Sequence, residues 1–156
     1  MTHLHEFVAH IDWTGAVSGP TSNYKTYARD YEISIDGHPV IPGSADPAFL
    51  GSGDRYNPED MLVASLSACH LLSYLAVCAR KGVHVTGYHD DAWGKMEMKD
   101  GALCFTEVIL KPVVTITAES DPEKAAELHH DAHKICFIAN SMNFPVLNKA
   151  TIRTAS

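Results

Sequence analysis

The stretch Asn57-Pro58-Glu59-Asp60-Met61-Leu62-Val63-Ala64-Ser65-Leu66-Ser67-Ala68-Cys69 decides how this chain folds. Asn57 can accept the free amides of a helix start, and Pro58 suits the first helical position. Glu59 and Asp60 complement the positive end of the helix dipole. Beyond them the sequence is apolar on nearly every side as far as Arg80-Lys81, and Gly82 suits the C-terminal cap. A helix apolar all round belongs in an interior. Residues 61–79 carry no Asp, Glu, Lys or Arg, close to the ~20 residues of a membrane span. Ser65, Ser67, His70, Ser73 and Tyr74 would be costly in lipid, so the expectation is a buried protein helix and no membrane partner.

Outward from this helix, the N-terminal side reads as strands at 6–13, 27–35 and 38–41, with an Asp36-Gly37 turn and a Gly/Pro/Asp/Ser-rich loop at 44–56. On the other side, 83–98 and 102–118 read as two long strands joined through Lys99-Asp100-Gly101. Asp121-Pro122-Glu123 opens a second helix reaching about His133, 135–143 holds a further helical turn or two, and 146–154 reads as a last strand. The fold class is therefore α+β, a single domain over 1–156 with antiparallel sheets wrapped around a long central helix. A buried helix of ~34 Å is long for one small sheet to cover, so a homodimer is expected.

Composition narrows the function. The 156 residues are 46% apolar and 20% charged, enough for a core without help from metals or cross-links. The formal net charge of −7 leaves no basic stripe for nucleic acid. No charged-then-apolar leader is visible, and a cytoplasmic location is expected. Four cysteines in such a chain do not suggest a structural disulfide framework.

Cys69 and Cys78 lie nine residues apart on one helix, on opposite faces and ~13 Å apart, so they cannot pair. Cys104 falls in a strand, where ordinary packing explains it. Cys136 falls in the last helical region, near an N-terminus whose amides can stabilise a thiolate. A Cys69–Cys136 contact is geometrically allowed but not selected by these observations.

Two motifs select it by resemblance. The quoted stretch, with Cys69 ten residues after Glu59, is similar to the signature of the OsmC/Ohr family, the osmotically induced and organic hydroperoxide resistance proteins. His133-Lys134-Ile135-Cys136 resembles the family's second motif, a His followed three residues later by the resolving Cys. Phe137 and His70 depart from the Pro and Phe that many relatives carry after the second and first Cys. The resemblance implies a peroxidase that reduces organic hydroperoxides to alcohols. Cys69 would become a sulfenic acid, then a Cys69–Cys136 disulfide that a dithiol, in this family a lipoylated protein, restores. It also implies an arginine beside Cys69. Arg29 is the best match, ahead of Arg55, with Glu59 holding it through a two-point contact. Because Glu59 and Cys69 are ~15 Å apart along one helix, Glu59 is expected to serve the partner subunit's site. Leu66, Phe137, Ile138 and Phe144 would form an apolar wall for the peroxide. No cofactor is implied.

Two other readings stand beside this one. His129 and His133 sit at i and i+4, with Cys136 one turn later, a spacing that could bind zinc. Alternatively the fold holds a small ligand without catalysis.

Overall fold

Asn57 caps the long helix as its sequence requires. In the computed structural model, which describes residues 4–155, the Asp60 amide donates to Asn57 Oδ1 at 2.7 Å, and Asn57 Nδ2 donates back to the Asp60 carboxylate at 2.8 Å. Helix α1 runs Pro58–Lys81. It ends where Gly82 turns to φ 73° and the Val83 amide donates to the Cys78 carbonyl at 3.0 Å, a left-handed cap that a side chain at residue 82 would strain. The chain divides into two compact units, one up to Met61 and one from Leu62.

The first unit carries strands β1 (His10–Trp13), β2 (Tyr31–Ser34) and β3 (Ile41–Gly43) in one antiparallel sheet of that order. β1 and β2 are shorter than the sequence suggests, β2 because residues 14–30 turn aside into a one-turn helix and loop, and β3 is displaced from 38–41 onto the Pro42-Gly43 expected to stop it. Gly15 is required there by contact rather than by torsion. A Cβ would sit 2.1 Å from the Ala28 carbonyl oxygen.

The second unit departs from the reading of long strands. Residues 83–98 divide into β4 (Val85–Asp90) and β5 (Trp93–Lys99), and residues 102–118 into β6 (Ala102–Leu110) and β7 (Pro112–Ile116). Residues 146–154 likewise divide into β8 (Val146–Asn148) and β9 (Thr151–Thr154). The two halves of each segment go to different sheets, β4-β7-β9 and β5-β6-β8, each mixed because its last strand pairs in parallel. The β5–β6 hairpin turns at Asp100-Gly101, both at positive φ, as the sequence suggests.

Asp90 fixes the place where the chain changes sheet. One carboxylate oxygen accepts the Lys111 amide at 2.6 Å and the other accepts the Ser67 hydroxyl of α1 at 2.6 Å. The Lys149 amide donates to the Leu110 carbonyl at the same corner, at 2.8 Å. Helix α1 can therefore serve both sheets. Its Leu66 packs with Val108, Leu110 and Phe144. Its Tyr74, Val77 and Cys78 pack with Val114, Ile116 and the second helix, α2 (Pro122–Ile135). Gly94 on β5 admits α1 closely, since a Cβ there would lie 2.7 Å from Val63 Cγ2.

The expectation of an all-round buried helix is not met within one chain. Only Leu66, His70, Tyr74, Val77 and Cys78 of α1 are buried, one stripe at helical spacing, while Leu72 is 67% exposed. Within the second unit, the two sheets and α2 pack against this buried stripe of α1. By length and composition α1 is apolar enough to cross a membrane, with 33% of that stretch buried. Its polar members Ser67, His70 and Tyr74 all have partners inside the protein.

His70 and His129 meet in this core. Their Nε2 and Nδ1 atoms are 3.0 Å apart, the Asn148 amide donates to His70 Nε2 at 2.9 Å, and Tyr74 stacks on His129 at 3.8 Å between centroids. Burial drives both pKa values down, to about 4 for His70, where nearby His133 adds to the effect and Asp90 opposes it, and to about 3 for His129, where His70 adds. Both rings are thus neutral at physiological pH. On the tautomers that the Asn148 donor selects, His129 Nδ1–H donates to His70 Nε2.

Two outcomes follow for stability. Asp90→Ala should lower the unfolding free energy by about 2–3 kcal/mol and Ser67→Ala by about 1 kcal/mol, read by urea titration; equal losses would mean that the Lys111 amide does not depend on Asp90. The histidine pair has depressed folded-state pKa values, so between pH 6.5 and about 4 the unfolded chain takes up protons that the native state refuses. Stability from this pair should be full above pH 6.5 and fall on acidification by at most about 1.4 kcal/mol per pH unit for each ring. His129→Gln should flatten that slope; an unchanged slope would exclude His129 as its source.

Candidate active site

Cys69 stands on α1 at the edge of the buried stripe, one residue before His70, and is half-buried. Cys136 caps the C-terminus of α2, its amide donating to the His133 carbonyl at 3.3 Å. It has no exposed surface. The two side chains are near neighbours, close enough for Cys69 to act on the Cys136 thiol, so residues 67 positions apart are brought together by the packing of α2 and its exit on α1. Both thiols are free.

The amides that face Cys136 are those of Ile138 and Ala139, in the turn that follows it, rather than those of a helix starting at Cys136 as the sequence suggests. Burial nevertheless dominates. It pushes the Cys136 thiol up to about 11, with the neighbouring Cys69 adding to the rise and the two amides opposing it. A thiol so placed stays protonated at neutral pH and does not compete as a first nucleophile.

A pocket of ≈ 670 Å³ opens on Cys69. Ser65, Leu72, Ala76 and Arg80 line it along one stripe of α1, and Ile135 and Phe137 line it from the segment around Cys136. Phe137 is 80% exposed and lines this pocket. Leu66, Ile138 and Phe144 pack instead in the core with Val108 and Leu110. Leu72, Arg80 and Ile135 were not singled out by the sequence. Their signal was only the helical spacing of Leu72, Ala76 and Arg80 from Cys69 and the position of Ile135 beside Cys136.

Arg29, Arg55 and Glu59 lie in the first unit. The Arg29 guanidinium donates to the carbonyls of Tyr27, at 2.6 Å, and Tyr24, and lies over the rings of both tyrosines, 4.1 Å from that of Tyr27. Arg55 pairs with Asp30 at 3.5 Å, and the Asp30 carboxyl is held below its usual range by the Ser52 hydroxyl first, then by Ser44 and Arg55. Glu59 Oε2 is buried without a partner, as is the nearby Tyr31 hydroxyl, whose pKa burial and Glu59 both raise. Among the described residues no ion pair joins Glu59 to Arg29, so the two-point contact is not made within this chain.

Among the described residues no three His, Cys, Asp or Glu side chains are grouped to hold a metal ion. His129, one of the three ligands suggested by spacing, is turned to His70 and Tyr74 instead.

Comparison with known proteins agrees with this architecture. Residues 51–148 match the family model described as OsmC-like protein. An OsmC-like protein of unknown function from Vibrio cholerae is 31% identical in a structural alignment covering 95% of this chain and 100% of that one, with a TM-score of 0.87. An organic hydroperoxide resistance protein from Elizabethkingia anophelis shares the fold at 20% identity, a TM-score of 0.72 and coverage of 99% and 100%. The uncharacterized Bacillus subtilis protein YmaD is 24% identical over 120 residues, 77% of each chain. On the family match and the Vibrio relative together, this chain belongs to the OsmC-like family.

Proposed function

We propose that the protein is a thiol-dependent peroxidase acting on organic hydroperoxides. The observation that carries the reading is the Cys69–Cys136 thiol contact at the floor of an apolar pocket. Ionised Cys69 attacks the distal peroxide oxygen, giving a Cys69 sulfenic acid and an alkoxide that takes a proton to become the alcohol. Cys136 then condenses with the sulfenic acid, releasing water and leaving a disulfide. An external dithiol, such as that of a lipoylated protein, returns the pair to thiols. The half-exposed Cys69 suits the attacking role and the buried, protonated Cys136 the resolving one.

In this reading the active unit is a homodimer in the cytoplasm. The face of α1 that carries Leu72 and Leu75 is left uncovered by its own chain, and a second copy would cover it. Arg29 and Glu59 complete the site on assembly, the guanidinium stabilising the Cys69 thiolate and Glu59, from the partner copy, orienting it. The buried, unpartnered Glu59 carboxylate oxygen supports a role that one chain leaves unfilled.

One equivalent of cumene hydroperoxide should consume two thiols, recovered by mass mapping as a Cys69–Cys136 disulfide. Cys69→Ser should abolish the loss, and Cys136→Ser should leave a sulfenic acid that dimedone traps on residue 69. Slow or absent oxidation of Cys69 would sink the peroxidase and favour a ligand-binding role for the same pocket. Arg29→Ala should slow that oxidation by ~100-fold, measured by stopped-flow; a large loss in Arg55→Ala with little in Arg29→Ala would transfer the role to Arg55.

A further inference from the structure

The first unit buries two side-chain polar atoms that find no partner among the described residues, the Tyr31 hydroxyl oxygen and Glu59 Oε2. Tyr31 stands opposite Gly43 in the β2–β3 pair, and its ring lies across that glycine. A Cβ on Gly43 would meet two ring carbons at 2.3 Å and the hydroxyl oxygen at 2.7 Å. Gly43 also bridges Tyr56, with the Ser44 amide donating to the Tyr56 carbonyl at 2.9 Å. Glu59 follows three residues after Tyr56, in the first turn of α1. The phenol thus crosses β3 toward the start of α1, within reach of the Glu59 charge, which adds to burial in raising the pKa of its hydroxyl.

Buried and unpaired, each oxygen carries the cost of its lost hydration. A group with a positive charge and several N–H donors in one plane would relieve both. A guanidinium answers that description. The carboxylate takes its charge and accepts from it, and the phenol oxygen accepts a further N–H.

We propose that Tyr31 is a positioning residue of the Cys69 site, its hydroxyl oxygen accepting an N–H of the guanidinium that Glu59 of the same copy orients. The inference rests on the assembled site read above and adds a second anchor for its arginine. Bonds to one carboxylate leave a guanidinium free to tilt about that edge. A further bond to Tyr31 stops the tilt and fixes how far the positive charge stands from the sulfur. Tyr31 itself touches neither sulfur nor peroxide and acts through the arginine. The role requires a neutral hydroxyl, since a phenolate would repel Glu59, and burial together with Glu59 keeps the phenol neutral.

Tyr31→Phe tests this, because it keeps the ring over Gly43 and removes only the hydroxyl. The rate of Cys69 alkylation by iodoacetamide, followed against pH by peptide mass mapping, reports the thiolate without any peroxide. Its pH midpoint should rise by about 0.5–1 unit in Tyr31→Phe, and stopped-flow oxidation by cumene hydroperoxide at neutral pH should slow by ~3- to 10-fold. In Glu59→Gln the arginine is already loose, so adding Tyr31→Phe should move the midpoint no further. A merely structural hydroxyl would lower the urea midpoint of unfolding and leave the alkylation profile in place. That unchanged profile, or an equal shift with and without Glu59→Gln, would overturn the proposal. A shifted profile in a protein that cumene hydroperoxide does not oxidise would support the anchor and remove only the peroxidase reading.

Discussion

Asp90 accepts two hydrogen bonds of 2.6 Å, one from the Ser67 hydroxyl on α1 and one from the Lys111 amide at the junction of β6 and β7. An ionised carboxylate can only accept, and both of its oxygens here meet donors. One side chain thus holds three pieces of the chain at the point where extended segments leave one sheet for another. At that corner β4 gives way to β5 and β6 to β7, each half joining a different sheet. With it, two short sheets form, and α1 lies against both of them in turn.

The placement of the cysteines depends on this division. The half of α1 before His70 packs against the β5-β6-β8 side, and the half after it packs against β4-β7-β9 and α2. Cys69 sits where the two halves meet. Helix α2 arrives at the same level because Tyr74 stacks on His129 and donates its hydroxyl to the Ala125 carbonyl at 2.9 Å. The chain leaving α2 then brings Cys136 beneath Cys69. The buried histidines are therefore part of what sets the spacing between the two thiols, although neither is within the reacting pair.

How much of this was legible varied with the range of the interaction responsible. The starts of both helices rest on residues within three positions of each other, Asn57 with Asp60 and Asp121 with Glu123 and Lys124, and they could be read directly. The breaks in the three long segments were harder to read, because Asp90-Asp91 and Pro112 mark two of them only weakly, while the hydrogen bond that ties those two breaks together joins Asp90 to a residue 21 positions away. The contact of His70 with His129 spans 59 positions and leaves no local trace. Likewise an apolar side chain near Cys136 gives no sign of its direction. Phe137 faces the pocket while its neighbour Ile138 faces the core. Within the site, spacing allowed the Cys69–Cys136 pair and only motif resemblance selected it. The Arg29–Glu59 contact drawn from that resemblance is absent within one chain, since Arg29 spends its donors on its own loop.

The mixed sheets also set an order of assembly during synthesis. β6 and β7 are the middle strands of their sheets, and each obtains its second neighbour from the segment of residues 146–154. Until that segment leaves the ribosome, both sheets consist of two strands with one bare edge, and bare edges invite pairing with other chains. The nascent protein thus carries two incomplete sheets until residues 146–154 have emerged, and the same nine residues supply the third strand of both.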